Sequence, residues 1–290
     1  MNILYCGDKN IAAGVAISAY SLALRTREPL DIYILTAAPK VKGRTLEALP
    51  RSFCDLLSSR LREISPGTQV RLFDVTGLFD VAPPAANMGT RFTPCCMLRL
   101  YAHLVPEIPD HILYLDNDVV CIGDPSGLYA TELGCAELAG VPDYYGSHFF
   151  RRRLFVWDYL NSGVLLLDMK KIREDGLFRR ARRLCAERKM FLPDQTALNR
   201  LAHKKLILPR RFNEQRREHD DTVLRHFTTT FRFFPRFRSV TVKPWQKEKM
   251  HSVLGLYGYD ELIDAGAEMI KEYKKAERQA TQQQMKGRLK

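Results

Sequence analysis

The first 120 residues alternate short, continuously apolar runs with longer segments in which apolar residues recur at helical spacing. The apolar runs predict strands at residues 2–6, 31–36, 70–73 and 111–115, and the segments between them predict helices at 11–24, 45–61 and 94–105. Strands that are apolar on both faces and separated by helices are typical of a parallel sheet covered on both sides. The pattern therefore predicts an α/β fold with a Rossmann-like, mostly parallel sheet flanked by helices, although no GxGxxG motif occurs.

The second half of the chain is less regular. Apolar runs predict strands at 164–167, 206–208 and 223–226, and helical spacing predicts helices at 176–188, 194–202 and 260–275. Beyond residue 278 the chain is polar, rich in glutamine and basic, so we expect it to fray or to lie on a surface. We therefore predict one large domain at 1–250 and a small helical basic C-terminal region at 251–290.

The charge of the chain is unevenly distributed. Residues 1–150 hold 12 Lys and Arg against 16 Asp and Glu, a net charge of −4, and residues 151–290 hold 33 against 17, a net charge of +16. The basic half suggests an anionic partner such as nucleic acid, acidic lipid headgroups or a phosphorylated substrate. Seven cysteines without a CxxC pair argue against a disulfide framework or a zinc ribbon.

Neither a signal peptide nor a run of 18 apolar residues is present. We therefore expect a cytoplasmic protein, and a peripheral contact with the inner face of an anionic membrane stays open.

A pair of aspartates follows the fourth predicted strand, as Asp116-Asn117-Asp118. In an extended chain, residues two positions apart project to the same side, so the two carboxylates are expected to converge at the carboxyl edge of the sheet. Ligands bind at that edge in open α/β sheets. Two converging carboxylates are stabilised by a cation, and oxygen ligands suit Mg²⁺ or Mn²⁺ shared with substrate phosphates.

Two other interpretations of these features stay open. Asp-x-Asp after an apolar strand also resembles the motif of haloacid-dehalogenase-like phosphatases, in which the first aspartate attacks phosphorus. That motif usually lies near the N-terminus, whereas here it starts at Asp116. The second alternative is a non-catalytic nucleic-acid- or membrane-binding protein, favoured by the basic half and by the three arginines at 151–153.

Several separated motifs, agreeing in order and spacing over residues 1 to about 245, resemble glycosyltransferase family 8. They are Asp8-Lys9-Asn10, Arg99 in an apolar helix, Asp116-Asn117-Asp118, Asn161-Ser162-Gly163, Asp194-Gln195, His226-Phe227-Thr228 and Lys243-Pro244-Trp245. The resemblance implies a GT-A fold and the activity of the bacterial lipopolysaccharide galactosyl- and glucosyltransferases in that family.

The resemblance also implies roles for individual residues. By this resemblance, the metal is bound by Asp116, Asp118 and His226. The nucleotide-sugar is bound by Asp8, Asn10, Arg99, Asp116, Asn117 and Lys243. The sugar-facing, catalytic positions are Gln195, Asp194 and Asn161, and Asp143 is similar to a further family position near the sugar. Each role has an ordinary structural alternative: a helix cap at Asn10 and Asp194, a salt bridge at Arg99, a turn at Asn161 and a structural histidine at His226.

The implied reaction is the metal-dependent transfer of a hexose from UDP-glucose or UDP-galactose to a glycan, lipopolysaccharide or glycolipid hydroxyl, with retention of anomeric configuration. The metal is Mn²⁺, or Mg²⁺ in its place, because a histidine ligand suits the softer ion. No nucleic-acid partner is expected. One departure matters: Thr229 replaces the usual glycine after His226, and residues 230–238 form an insertion before Lys243.

Overall fold

The computed structural model describes residues 1–41, 43–90, 93–146, 158–232 and 238–288. The strands are β1 (Asn2–Gly7), β2 (Asp31–Thr36), β3 (Lys40–Val41), β4 (Arg44–Thr45), β5 (Gln69–Asp74), β6 (His111–Leu115), β7 (Val119–Cys121), β8 (Leu138–Pro142), β9 (Leu160–Asp168), β10 (Lys205–Ile207), β11 (Leu224–His226), β12 (Thr230–Arg232) and β13 (Arg238–Val240).

The α-helices are α1 (Ala12–Arg25), α2 (Arg51–Ile64), α3 (Thr76–Val81), α4 (Ser126–Tyr129), α5 (Met169–Asp175), α6 (Leu177–Glu187), α7 (Pro193–Leu201), α8 (Lys247–Lys249) and α9 (Asp260–Arg288). Tighter 3₁₀ turns occupy Lys9–Ile11, Ala85–Asn87, Pro94–Leu104 and Arg210–Phe212, and a π-helical turn occupies Met250–Leu254.

A seven-stranded sheet with the order β10-β8-β9-β6-β1-β2-β5 forms the centre of the molecule. β1 pairs in parallel with β2 and β6, β2 with β5, and β8 with β10. β9 runs antiparallel to both of its neighbours, β6 and β8. The predicted α/β architecture with a mostly parallel sheet is therefore confirmed.

The strands of the central sheet are continuous apolar runs in the sequence because both faces of the sheet are buried. In β1, Ile3 and Tyr5 pack in the cluster that holds α1 and α2, and Leu4 packs in the opposite cluster with the 3₁₀ helix Pro94–Leu104. All three residues are fully buried. Because successive strand residues face opposite sides, a sheet covered by helices on both faces requires an apolar residue at every position.

Two predicted helix boundaries are wrong. The helix expected at 45–61 begins only at Arg51, because Pro50 is extended (ψ 152°) and the residue before a proline disfavours helical backbone. The helix predicted at 260–275 is also too short, since α9 continues to Arg288. Glutamine, lysine, methionine and arginine all have good helix propensity, so this polar stretch extends the helix.

The first half of α9 packs on the body of the protein. Met269 and Tyr273 lie in the same cluster as α1 and α2, and the Tyr273 ring meets Phe53 edge-on at 5.6 Å. The division of the chain at residue 250 stays a prediction. Across the ranges described, no helix, α9 included, combines the length and apolarity needed to cross a membrane.

Candidate functional site

The end of β6 and the start of β9 meet at one edge of the sheet because the two strands run antiparallel. The backbone N–H of Asp116 donates to the carbonyl of Gly163 at 2.8 Å and so extends their pairing by one step. The Asp116–Asp118 segment and the Asn161–Gly163 segment, 45 residues apart in the chain, are thereby neighbours. This contact is the core of the candidate site.

Asp116, Asp118 and His226 place their ligand atoms within 4.8 Å of one another. His226 Nε2 lies 3.2 Å from Asp118 Oδ1 and 3.8 Å from Asp116 Oδ2. The premise that the aspartates lie in extended chain is wrong, because β6 ends at Leu115 and the N–H of Val119 closes a turn onto the Asp116 carbonyl at 3.2 Å. The carboxylates nevertheless converge, since the turn folds both back toward the histidine.

A two-stranded ribbon sets the distance between Asp118 and His226. β7 and β11 pair antiparallel with His226 opposite Val119, and the N–H of Phe227 donates to the Asp118 carbonyl at 3.0 Å. His226 is 4% exposed, so its imidazole is held among protein groups. The backbone hydrogen bonds of this ribbon thus bring His226 next to the aspartate turn.

Lys243 reaches the same aspartates from a later part of the chain. Its Nζ donates to Asp118 Oδ2 and, at 3.0 Å, to the carbonyl of Phe227. Burial works to raise the pKa of Asp118, but Lys243 and His226 outweigh it and hold that pKa below its usual range. Asp118 therefore remains a carboxylate at any physiological pH.

The insertion before Lys243 leaves this lysine in place because it folds out as a hairpin. β12 and β13 pair antiparallel, and the hydroxyls of Thr229 and Thr241 lie 2.8 Å apart at its base. The chain therefore returns to the point at which it left, two residues before Lys243. The tip at 233–237 lies outside the described residues, as do the arginines at 151–153.

Arg99 joins the aspartate turn to α7. Its Nη2 donates to Asp116 at 2.9 Å, its Nε lies 3.2 Å from the carboxylate of Asp194, and its guanidinium lies 3.9 Å from the centre of the Tyr114 ring. The side chain is 3% exposed. Burial alone would lower its pKa, but Tyr114, Asp194 and Asp116 together raise it. Arg99 thus remains charged and holds two carboxylates in position.

Two of the predicted sugar-facing residues, Asn161 and Gln195, are hydrogen-bonded to a third, Asp143. Its Oδ2 accepts from Asn161 Nδ2 at 2.8 Å and from Gln195 Nε2 at 3.0 Å. Gln195 Oε1 in turn accepts from the N–H of Ser162 at 3.0 Å. Burial raises the pKa of the neighbouring Asp194, an effect that Arg99 partly offsets. The group is a buried, polar wall next to the aspartate turn.

Asp8 follows β1, and one of its two carboxylate oxygens accepts a hydrogen bond. Oδ1 accepts from the N–H of Asn10 at 2.9 Å and caps the 3₁₀ turn Lys9–Ile11. Oδ2 is buried and has no hydrogen-bond partner among the described residues. Asn10 is exposed. A buried carboxylate oxygen left without a donor is costly, so this atom is suited to receive an N–H from a ligand.

Asn117 lies against the N-terminal part of α1 where Gly14 permits a close approach. A Cβ at position 14 would stand 2.2 Å from the Asn117 carbonyl oxygen and 2.7 Å from the Trp245 ring. Gly14 therefore allows the aspartate turn and the segment after Lys243 to meet α1. The sequence prediction missed Gly14, although a glycine inside an apolar helix is a signal of close packing.

Asn213 is the second residue that the prediction missed. It is 1% exposed, its Nδ2 donates to Asn161 Oδ1 at 3.0 Å and its Oδ1 lies 3.1 Å from His226 Nδ1. The segment Leu208-Pro209-Arg210-Arg211-Phe212 before it offered only a turn signal. One buried side chain thus contacts both His226, a predicted metal ligand, and Asn161, a predicted sugar-facing residue.

Gly163→Ala is expected to disable the aspartate–histidine cluster. The added Cβ would lie 2.1 Å from His226 Cε1 and 2.8 Å from Asp116 Oδ2, and the buried imidazole has no room to retreat. We expect a stability loss of about 1–3 kcal/mol from overpacking and loss of Mn²⁺ binding, measured by urea unfolding and calorimetric titration. Gly127→Ala, where a Cβ meets nothing within 4 Å, is the control. Unchanged Mn²⁺ binding by Gly163→Ala would contradict this.

Comparison with known proteins identifies the family. A sequence profile described as Glycosyl transferase family 8 matches residues 2–248. The lipopolysaccharide 1,2-glucosyltransferase of Escherichia coli K12 is 29% identical over 226 residues, 73% of this chain and 62% of that protein. Probable galacturonosyltransferase-like 6 of Arabidopsis thaliana is 28% identical over 170 residues, 52% of this chain and 45% of that protein. The matches span less than two thirds of either relative.

Solved structures agree with the fold. Two crystal structures of the galactosyltransferase LgtC, an active-site mutant and a complex with donor and acceptor sugar analogs, match with TM-scores of 0.68 and 0.65. Sequence identity is 19% and 20%, and each comparison covers 92% of this chain and 96% of LgtC. At this identity the likeness establishes the GT-A architecture.

Proposed function

The chain belongs to glycosyltransferase family 8, and on that basis we propose that it transfers a hexose, glucose or galactose, from a UDP-sugar to a hydroxyl of a glycan, lipopolysaccharide or glycolipid. The observation that carries the proposal is the convergence of Asp116, Asp118 and His226 at the sheet edge, with Lys243 beside them. Two carboxylates, an imidazole and an ammonium at one point suit a metal–diphosphate group.

The donor set fits a divalent cation. Asp116 and Asp118 offer oxygen atoms, and His226 offers Nε2, all within 4.8 Å. Oxygen ligands suit Mg²⁺ and Mn²⁺, and the imidazole favours Mn²⁺. Asp116, Asp118 and His226 would hold such a cation, which would supply positive charge to offset the negative charge of the departing diphosphate.

The rest of the donor would follow from neighbouring groups. The unpartnered Asp8 Oδ2 is suited to accept an N–H of the uracil base, with Asn10 two residues along the chain and Asn117 against Gly14 of α1. Lys243 would place a point charge against the diphosphate. Asp143, Asn161, Asp194 and Gln195 would hold the hexose hydroxyls, and Arg99 would keep Asp116 and Asp194 in position.

We propose that the anomeric configuration is retained by a same-face route. Double displacement needs a carboxylate below the anomeric carbon. Gln195 is an amide whose oxygen is already held by Ser162, and the Asp194 carboxylate is paired with Arg99. An α-linked product, seen by proton NMR from an α-linked donor, would support retention. A glycosyl adduct on Asp194 detected by mass spectrometry would overturn the same-face route.

The proposal is tested by thermal unfolding with UDP, UDP-glucose and UDP-galactose, with and without Mn²⁺. At a ligand concentration of 100 times Kd, the stabilisation should be roughly 2.7 kcal/mol. The sugar that stabilises most is then offered with lipopolysaccharide acceptors, and transfer is followed by release of UDP. A protein that responds to none of the UDP compounds would contradict the proposal.

Lys243→Ala is expected to weaken UDP binding without weakening metal binding. The lost charge-assisted contact costs about 1.5–3 kcal/mol, or roughly 10- to 100-fold in Kd for UDP with Mn²⁺ present. Mn²⁺ alone should bind at least as well, because the ammonium no longer competes for Asp118 Oδ2. Both constants come from calorimetry. Lys247→Ala, which loses ion pairs with Asp260 and Asp264 away from the site, serves as control. If Lys243→Ala weakened the binding of Mn²⁺ and of UDP by the same factor, the role of Lys243 as a diphosphate contact would be contradicted.

We further propose that the protein is cytoplasmic and contacts the inner face of an anionic membrane. The support is the +16 charge of the second half together with the exposed arginines and lysine at 179, 183, 188 and 189 on and after α6. Such a basic surface would guide the enzyme to anionic lipid or to a phosphorylated glycan. Equal retention on neutral and anionic vesicles would reject this placement.

The family match leaves the phosphatase alternative without support. Asp116, the nucleophile in that interpretation, is held by Arg99 at 2.9 Å and by the Tyr114 hydroxyl at 2.6 Å. Hydrolysis of p-nitrophenyl phosphate without any need for UDP would revive it. RNA retention that survives Asp118→Ala would instead favour the nucleic-acid-binding alternative.

A further inference from the structure

Asn213 lies at the junction between the metal-ligating and the sugar-facing side chains. It follows the 3₁₀ turn Arg210–Phe212, and its amide lies between Asn161 Oδ1, at 3.0 Å, and His226 Nδ1, at 3.1 Å. The residue is 1% exposed, so both contacts are shielded from water. The directions of these two hydrogen bonds can be deduced from their neighbours.

The deduction starts at the carboxylate of Asp143. An ionised carboxylate only accepts hydrogen bonds, so Asn161 must direct its Nδ2 toward Asp143, at 2.8 Å. The Oδ1 of Asn161 then faces the backbone N–H of Gly163, at 3.0 Å, which can only donate. Because Asp143 can only accept and the Gly163 N–H can only donate, the Asn161 amide has a single possible orientation.

The orientation of the Asn161 amide fixes the orientation of the Asn213 amide, which in turn decides which nitrogen of a neutral His226 carries the proton. Because Asn161 presents its oxygen, Asn213 must present its Nδ2 to it and turn its own oxygen toward the imidazole. An amide oxygen only accepts, so the proton of a neutral His226 resides on Nδ1. Nε2 faces the carboxylates of Asp118 and Asp116 at 3.2 and 3.8 Å, so a bound cation would take the place of the hydrogen that Nε2 shares with them. A neutral imidazole nitrogen with a free lone pair is the form that ligates a metal.

We propose that Asn213 is a positioning residue that selects the His226 tautomer for metal binding and ties that ligand to the sugar-facing Asn161. The inference rests on the proposed function, because it takes the aspartate–histidine cluster to be a metal site. It adds a residue that lies outside the recognised motifs. It also implies that the metal ligand and the sugar-facing wall are coupled through one side chain.

The test compares Asn213→Ala with Asn213→Asp. Alanine removes the acceptor of the Nδ1 proton, and loss of such a supporting hydrogen bond typically weakens metal binding about 10- to 100-fold. Aspartate keeps an acceptor for Nδ1–H but cannot donate to Asn161. We therefore expect Asn213→Asp to retain Mn²⁺ affinity, measured calorimetrically with UDP present, while kcat for sugar transfer falls.

A second readout reports the tautomer directly. In protein labelled with ¹⁵N-histidine, the His226 signals should show the proton on Nδ1 in the wild type and in Asn213→Asp, and a mixture of tautomers in Asn213→Ala. Asn199→Ala is the matched control, because Asn199 is also buried and its amide bonds to the backbone of Leu160 and Gln195. It should lower the unfolding midpoint and leave Mn²⁺ affinity unchanged.

The outcomes separate the two proposals. A wild-type protein that binds no Mn²⁺ in the presence of UDP would overturn the proposed function and this inference with it. Wild-type binding together with unchanged affinity in Asn213→Ala would overturn the inference alone. So would an Asn213→Asp variant that loses metal affinity as fully as Asn213→Ala.

Discussion

Asp118→Ala is expected to abolish both Mn²⁺-dependent UDP binding and sugar transfer. Asp118 lies 3.2 Å from His226 Nε2 and holds the Lys243 ammonium, so under the proposed function one substitution removes a metal ligand and the anchor of the lysine that would face the diphosphate. The roughly 2.7 kcal/mol of stabilisation at 100 times Kd should vanish. Turnover should fall by ~10³-fold or more, because a metal supplies several kcal/mol of charge stabilisation.

The matched control for this experiment is Asp124→Ala. Asp124 is exposed just after β7, and its side chain bonds only to Ser126 among the contacts described. It should keep full UDP binding and full transfer. Thermal unfolding and UDP release are measured for both variants at the same protein concentration. Mn²⁺-dependent stabilisation that persists in Asp118→Ala would refute the assignment of this aspartate as a metal ligand.

Arg99→Met is expected to lower the free energy of unfolding by about 3–5 kcal/mol, the usual cost of removing one partner from a buried ion pair. The substitution leaves the carboxylate of Asp194 buried without its countercharge and removes a donor from Asp116. Arg99→Lys should recover little of this, because one ammonium cannot reproduce a planar guanidinium that spans both carboxylates and stacks on Tyr114.

Urea unfolding at neutral pH measures this loss. Arg183→Met is the control, because Arg183 is 80% exposed and pairs with Glu187 one helical turn away. Exposed pairs of this kind contribute little to stability. Arg99→Met should also weaken Mn²⁺ binding, since Asp116 loses its support. A variant as stable as Arg183→Met would show that Arg99 is not needed to hold the two carboxylates.

Most of the sheet could be predicted from the sequence. Strands such as Asp31–Thr36 and His111–Leu115 are buried on both faces, and unbroken apolar runs directly express that environment. The helix boundaries were less predictable. Residues 45–50 have helical spacing, but Pro50 prevents the helix from starting there, and the polar end of α9 has residues of good helix propensity without an apolar periodic pattern.

The residues of the candidate site were predictable only where motifs carried them. Asp116 and Asp118 follow a strand, and His226 and Lys243 belong to recognised motifs, so all four could be named in advance. Asn213 could not, because an asparagine after a proline-containing segment ordinarily indicates a turn. Its position depends on β11 lying beside β7, a long-range pairing that no local pattern reveals.

The hairpin formed by β12 and β13 has a consequence for how this enzyme can vary. Its two ends close on each other through Thr229 and Thr241, so the chain re-enters the body where it left. We therefore expect changes in the length or sequence between β12 and β13 to leave Lys243 beside Asp118. This part of the chain can then diverge between relatives without moving the lysine.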